Sequence, residues 1–237
     1  MWRDLDDAVV CEPTDLARGI GRALFVSPHV ADAVMLCADL LAANPSSRVV
    51  SVLDSVPSLT PTHVPVDRRL AGGAETRAHD EDDLLALFLL EADPVWLDIQ
   101  ASRYRPTVLA GLVEVLGEQI GQHAPDSIVF PLGLRRDDDR LVAEACLDLC
   151  LTSPERTWIA YGDAATHGLA RPLAARSHEL QARGFALDPL EPLPAGAQKR
   201  HAVACYSDRS AVHAASSEPR AEAYFEPERY WQVRRAA

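Results

Sequence analysis

A histidine and an aspartate stand close together in Ser27-Pro28-His29-Val30-Ala31-Asp32, between the apolar run 23–26 and the apolar segment 34–41. An apolar run, a short polar turn and a second apolar segment predict a strand that gives way to a helix, and α/β proteins hold their reactive groups on such turns. An imidazole and a carboxylate three residues apart there can face one crevice and offer two ligands to a divalent metal, leaving a third to come from elsewhere in the chain. A second polar group, Arg136-Asp137-Asp138-Asp139, follows the apolar run 128–130. Taken alone, its three acids read most simply as a helix cap that complements the helix dipole.

The elements that must position these groups alternate along the chain. Strands are predicted at 23–26, 49–53, 95–99, 128–130 and 158–161, with helical segments between them, which is the pattern of a parallel sheet covered on both faces. After Pro106, a residue suited to a first helical position, Leu109, Leu112, Val113, Leu116 and Ile120 recur at helical spacing with Glu114 and Glu118 opposite. A further helix is expected from about Asp138–Asp139, with Leu141, Val142, Ala145, Cys146, Leu149 and Cys150 on one stripe. Another, at 80–90, opens on the acids 80–83, read as a solvated helix start. The proline-bearing stretches 57–69 and 185–197 read as surface connections. A late helix is expected around His201 and Tyr206. His167 follows Asp163 on a predicted loop, where a histidine is ordinarily a solvent contact.

Length and composition set the class. With 237 residues and 48% hydrophobic content the chain can bury one full core, so a single α/β domain is expected, residues 184–237 packing on it as a terminal segment. A formal net charge of −12 and a pI near 5.0 argue against nucleic acid or an anionic membrane as partner. The five cysteines, Cys11, Cys37, Cys146, Cys150 and Cys205, form no CxxC pair and fall largely in apolar helical stretches. They read as buried thiols of a reducing compartment. No apolar stretch approaches the length of a membrane span, and a cytoplasmic protein with a small-molecule partner is expected, homo-oligomerisation remaining open.

Several segments, taken together and in order, resemble the PIG-L/LmbE-like family of zinc-dependent N-deacetylases, which cleave acyl amides on amino sugars and related small molecules. Ser27-Pro28-His29-Val30-Ala31-Asp32-Ala33 with Cys37 resembles the family's S-P-H-x-D-D-A/E opening. Arg77-Ala78-His79-Asp80 resembles its R-x-E-D, and Trp96-Leu97-Asp98 with Tyr104-Arg105 its L-D…Y-R. Phe130-Pro131-Leu132-Gly133-Leu134 resembles the P-L-G-L strand end before an H-x-D-H helix start, here Arg136-Asp137-Asp138-Asp139. Tyr161-Gly162-Asp163 resembles Y-E-D, and Glu228-Arg229-Tyr230-Trp231 the closing E-R-Y-W.

The resemblance implies a Rossmann-like α/β fold, mostly parallel and covered on both faces. It also implies a zinc site with three protein ligands and one open position, which lowers the pKa of bound water towards ~7. Carried over by position, His29 and Asp32 are metal ligands and Asp138 an orienting carboxylate behind them. Ala31 stands where the family keeps its general base, a loss that typically costs ~10²–10⁴ in rate. Asp139 stands at the third ligand, a histidine in the family, and Arg136 replaces the histidine that assists the oxyanion.

A His29/Asp32/Asp139 set suits Mn²⁺ or Fe²⁺ as well as Zn²⁺. Arg136 can either neutralise part of that charge or take the metal's place by pairing with the aspartates. Three readings follow: a hydrolase of N-acylated amines or sugar-like metabolites with an altered metal site, a silent homologue that binds a ligand or partner, and a metal-independent enzyme that reuses the crevice. Cys146 and Cys150 read as core residues.

Overall fold

The computed structural model describes residues 16, 19–53, 74–99, 106–134, 136–162, 170–206 and 224–236. In chain order the elements are β1 (Ala23–Ser27), α1 (Asp32–Ala42), β2 (Arg48–Leu53), α2 (Ala74–Leu89), β3 (Asp93–Ile99), α3 (Pro106–His123), β4 (Ser127–Pro131), α4 (Asp137–Thr152), β5 (Thr157–Tyr161), α5 (Ala170–Ala182), β6 (Phe185–Pro189), α6 (Ala197–Ala204) and β7 (Tyr230–Arg235). The stretch 57–69 lies outside the described residues.

The strands form one sheet in the order β3-β2-β1-β4-β5-β7-β6. Neighbours from β3 through β5 are parallel, whereas β7 runs antiparallel to both β5 and β6. The expected α/β class, Rossmann-like and mostly parallel, is the one observed. Strand residues alternate between two cores because both sheet faces are covered. Leu24, Val26, Val50, Ile128 and Phe130 pack against α3, α4 and α5, and Ala23, Phe25, Val49 and Val129 pack against α1, α2 and α6. Cys146 and Cys150 are buried in the first of these cores. Among the described residues, no helix is long and apolar enough to cross a membrane.

The winding order fixes where a site can form. From β1 the chain moves outward through β2 to β3, then returns to lay β4 on the other side of β1. The turns that leave β1 and β4 therefore diverge to opposite faces and open a crevice at the carboxyl ends of these two strands.

One expectation fails here. The stretch 185–197 is not wholly a surface connection: residues 185–189 form β6, pairing antiparallel with β7 from Phe185↔Arg235 to Pro189↔Trp231. Its prolines misled because Pro189 ends an edge strand, where a missing N–H costs little. Within the terminal segment, β6 and β7 add the last two strands to the sheet.

The closing Glu228-Arg229-Tyr230-Trp231 has a structural task at α1. That helix is kinked at Cys37 (φ −136°, ψ 16°), and the buried carboxylate of Glu228 accepts the backbone N–H groups of Asp39 (3.0 Å) and Leu40 (3.2 Å) just beyond the kink. Glu228 also accepts from Tyr230 Oη at 2.6 Å and pairs with Lys199 Nζ at 2.7 Å. Lys199 is the chain's only lysine and is almost fully buried. Asp39 sits in the same pocket, accepting the Gly196 N–H at 2.8 Å while its Oδ2 lies 3.9 Å from Lys199.

Two acids thus share one buried ammonium. Burial, with the adjacent Glu228 charge, pushes the Asp39 carboxyl up to about 7. A carboxyl raised on folding stabilises most when protonated, and that contribution fades as pH climbs from the unfolded value through the folded one. Denaturant unfolding of the wild type should therefore show stability falling between about pH 4 and 7, on the order of 1–3 kcal/mol. Asp39→Asn keeps the Gly196 bond and should flatten that profile, so an unchanged slope would contradict the shared-charge pocket.

Candidate functional site at the ends of β1 and β4

Residues after β1 fold into a closed polar turn. The buried Ser27 hydroxyl donates to the His29 carbonyl (2.6 Å) and accepts the Ala33 N–H (3.0 Å), while Asp32 Oδ2 accepts the His29 N–H at 3.1 Å. The hinge of the turn is Ala31, a left-handed residue with φ 75° and ψ −22°. An alanine rarely holds that conformation without outside support.

The support comes from α2. Asp83, only 1% exposed, accepts the Ala31 N–H at 3.1 Å, the Trp96 indole N–H at 3.2 Å and the Tyr206 hydroxyl at 2.6 Å. The acids 80–83 are therefore not uniformly a solvated helix start. Asp83 continues the inward stripe of Ala86, Leu87 and Leu90, whereas Leu84, Leu85, Phe88 and Leu89 are exposed. Those outward leucines blur the helical period, which is why the sequence did not single out Asp83. Tyr206, just past the end of α6, was expected only as part of a late helix.

The second wall is the segment from Pro131 to Arg136. Gly133 has φ +75°, and a Cβ there would lie 3.0 Å from both the Arg140 Cα and the Ala143 Cβ. The strand end passes so close to α4 that glycine is required. Buried Arg176 on α5 holds the same segment, donating from Nε to the Leu132 carbonyl at 3.0 Å and pairing with Glu144 at 2.9 Å. Helix α4 begins at Asp137, one residue earlier than expected. Its first turn is acidic, but its N-cap is Arg136, which makes no side-chain cap bond.

Arg136 crosses the crevice. Its Nη2 reaches Asp32 Oδ2 at 2.7 Å and Asp139 Oδ1 at 2.8 Å, and its Nε donates to Asp139 Oδ2 at 3.0 Å. The Arg136 side chain is 45% exposed at the mouth, and Asp139 beneath it only 9%. Burial pushes the Asp139 carboxyl up to about 6, outweighing the pull of Arg136, and the nearby Asp32 charge adds a smaller rise. Burial opposes the charge on Arg136, but the two carboxylates outweigh it and raise its pKa further. Below the bridge, Pro28, Leu36, Pro131, Leu132, Leu134 and Tyr161 line a small apolar pocket. Its floor is fixed by the buried Tyr161, whose hydroxyl donates to the Val26 carbonyl at 3.2 Å.

The crevice thus gathers all five residues singled out from the sequence, in an arrangement the spacing did not reveal. Asp32 and Asp139 share Arg136, whereas His29 Nε2 turns to Asp138 Oδ2 at 3.1 Å. Among the described residues no three histidine, cysteine, aspartate or glutamate side chains are grouped so as to hold a metal ion. Asp32 Oδ2 and Asp139 Oδ2 accept from Arg136, and Asp139 Oδ1 lies 2.8 Å from the same guanidinium without a hydrogen bond, so the two carboxylates as placed face a fixed cation rather than a shared metal position. Asp163, His167, Tyr104 and Arg105 lie outside the described residues, as do the side chains of Arg77, His79, Asp80 and Asp98.

Comparison with solved structures finds the same fold in several deacetylases. A triple mutant of the deacetylase of the teicoplanin biosynthetic pathway matches with a TM-score of 0.68 at 17% identity, covering 91% of this chain and 98% of that one. The A40926 pseudoaglycone deacetylase matches with a TM-score of 0.66 at 20% identity, covering 92% and 98%. A zinc-inhibited form of the teicoplanin deacetylase gives 0.67 at 16%, again covering 91% and 98%. No protein-family model matches the sequence, and no curated protein matches it.

The two left-handed positions on the crevice walls should respond oppositely to substitution. Ala31→Gly should stabilise by about 0.5–1 kcal/mol by removing a left-handed Cβ, while Gly133→Ala should destabilise by at least about 1 kcal/mol. Denaturant midpoints measured at constant m-value decide both.

Proposed function

We propose that this chain is a divergent PIG-L/LmbE-like protein that takes an N-acylated amine or sugar-like small molecule into the crevice between β1 and β4 and tailors it in specialised metabolism. The observation that carries the reading is the convergence of His29, Asp32, Arg136, Asp138 and Asp139 at the point where the winding of the sheet reverses. Likeness in fold to the teicoplanin-pathway deacetylase and the A40926 pseudoaglycone deacetylase over more than nine-tenths of the chain supports an N-acylated substrate.

The residues define what chemistry is open to them. Ala31 offers a methyl group where the related family keeps a carboxylate base, so it takes no proton. His29 does have a proton path: with Nε2–H donated to Asp138, the other ring nitrogen keeps its lone pair and can accept a proton from water. Asp138 fixes that tautomer and stabilises the imidazolium that results. Arg136 is a fixed positive charge at the mouth, able to hold a substrate carbonyl or anionic group through the part of its guanidinium facing solvent. The apolar lining below it can contact the methyl end of an acyl group.

A second reading, ligand binding without turnover, is favoured by one observation: the Arg136 guanidinium is already committed to two carboxylates. Incubation with a panel of N-acetylated amino sugars and N-acylated glycopeptides, followed by mass spectrometry and calorimetry, separates the two. Hydrolysis is expected, with His29→Ala and Asp138→Asn lowering the rate by about 10²-fold or more. Saturable binding without product would leave the silent reading. No binding by any member of the panel would contradict both.

A further inference from the structure

We propose that Arg136 is a built-in replacement for the divalent metal, so that this crevice is complete without any metal ion. The inference rests on the preceding reading for one point, that a relative's metal would lie between these side chains. The remainder follows from the donor atoms.

A metal bridging the β1 and β4 turns needs oxygens from Asp32 and Asp139 and a nitrogen from His29 with lone pairs directed at one point. Here the same Asp32 Oδ2 accepts both the His29 N–H and Arg136 Nη2. Asp139 Oδ2 accepts from Arg136 Nε at 3.0 Å, and Oδ1 lies 2.8 Å from Nη2 as an ion-pair contact without a hydrogen bond. His29 Nε2 pairs with Asp138 rather than with the Asp32–Asp139 pair, so of its ring nitrogens only Nδ1 is left uncommitted. A planar guanidinium satisfies two carboxylates at once in a way a lysine ammonium cannot, and it carries its charge at every accessible pH.

Its anchorage is equally definite. Arg136 is the N-cap residue of α4, in extended conformation at φ −90° and ψ 144°. The side chain thus starts from a fixed helix end and returns across the crevice. A cation at a helix N-terminus is ordinarily disfavoured by the dipole, but Asp137, Asp138 and Asp139 in the first turn reverse the local field. A divalent ion entering the bridge would have to displace a charge covalently tied to the chain and then face it at close range.

The Arg136 bridge also accounts for two departures in the sequence together. Ala31 provides no base to deprotonate metal-bound water, and Asp139 matches an arginine where a ligand histidine would not. Both changes fit a site that has exchanged its metal for a guanidinium.

The test uses the full-length protein, dialysed against chelator and titrated with ZnCl2 or MnCl2 alone by calorimetry. The wild type is expected to show no stoichiometric site that depends on Asp32, and a melting temperature unchanged by either ion. Arg136→Ala empties the bridge and exposes two carboxylates beside an imidazole, so it should gain one site at least 100-fold tighter than any in the wild type. That site should disappear in the double variant with Asp32→Asn. Stoichiometric metal on the wild type that is lost in Asp32→Asn would overturn the proposal, and so would a folded Arg136→Ala protein that gains no site. Should Arg136→Ala fail to fold, the wild-type titration alone decides. Failure of the ligand panel would leave these outcomes untouched, which keeps this inference separable from the proposed substrate class.

Discussion

Two carboxylates forced together at the end of a parallel sheet need a cation between them. Asp32 stands on the first turn of the helix after β1, and Asp139 on the first turn of the helix after β4. The reversal of winding between these strands brings the two turns face to face. Left unpaired, such groups would hold protons or repel the turns apart. The Arg136 guanidinium resolves the conflict with three short contacts and so joins the two halves of the sheet at their common mouth. Because Arg136 is partly exposed, its worth lies less in net stability than in fixing where the carboxylates and His29 point.

That geometry depends on polar groups buried behind it. Ser27 and Asp83 hold the Ala31 hinge from two sides, and Glu228 takes up the N–H groups that the Cys37 kink releases in α1. Arg176 does the corresponding task for the wall after β4. Each would be costly if left unsatisfied, by about 1–3 kcal/mol for the hydroxyl and amide bonds and about 3–5 kcal/mol where Glu228–Lys199 or Arg176–Glu144 lost one partner. Together they make the crevice a stiff frame in which small changes of side chain alter chemistry without altering the fold.

Much of this was legible in the sequence where local signals were strong. The apolar run before Ser27-Pro28-His29 and the stripe after Asp139 gave β1, α1 and α4 nearly to the residue, and the alternation of runs gave the parallel sheet. The Arg136 bridge was open only as one of two alternatives, because whether an arginine meets an aspartate a hundred residues away is decided by strand order rather than by any local period. Asp83 was missed because exposed leucines on the same helix masked its inward face. Strand β6 was missed because proline at the end of an edge strand looks like a loop. What stayed hidden in each case was a tertiary contact, not a propensity.

A guanidinium or a metal ion occupies the space between Asp32 and Asp139, and the two are distinguishable. A crystal of the wild-type protein soaked in millimolar zinc, with data collected above and below the zinc absorption edge, examines that space directly. Continuous density for the Arg136 guanidinium between the two carboxylates, with no anomalous peak there, is the expected result. An anomalous peak coordinated by His29, Asp32 and Asp139, with Arg136 turned out to solvent, would contradict it.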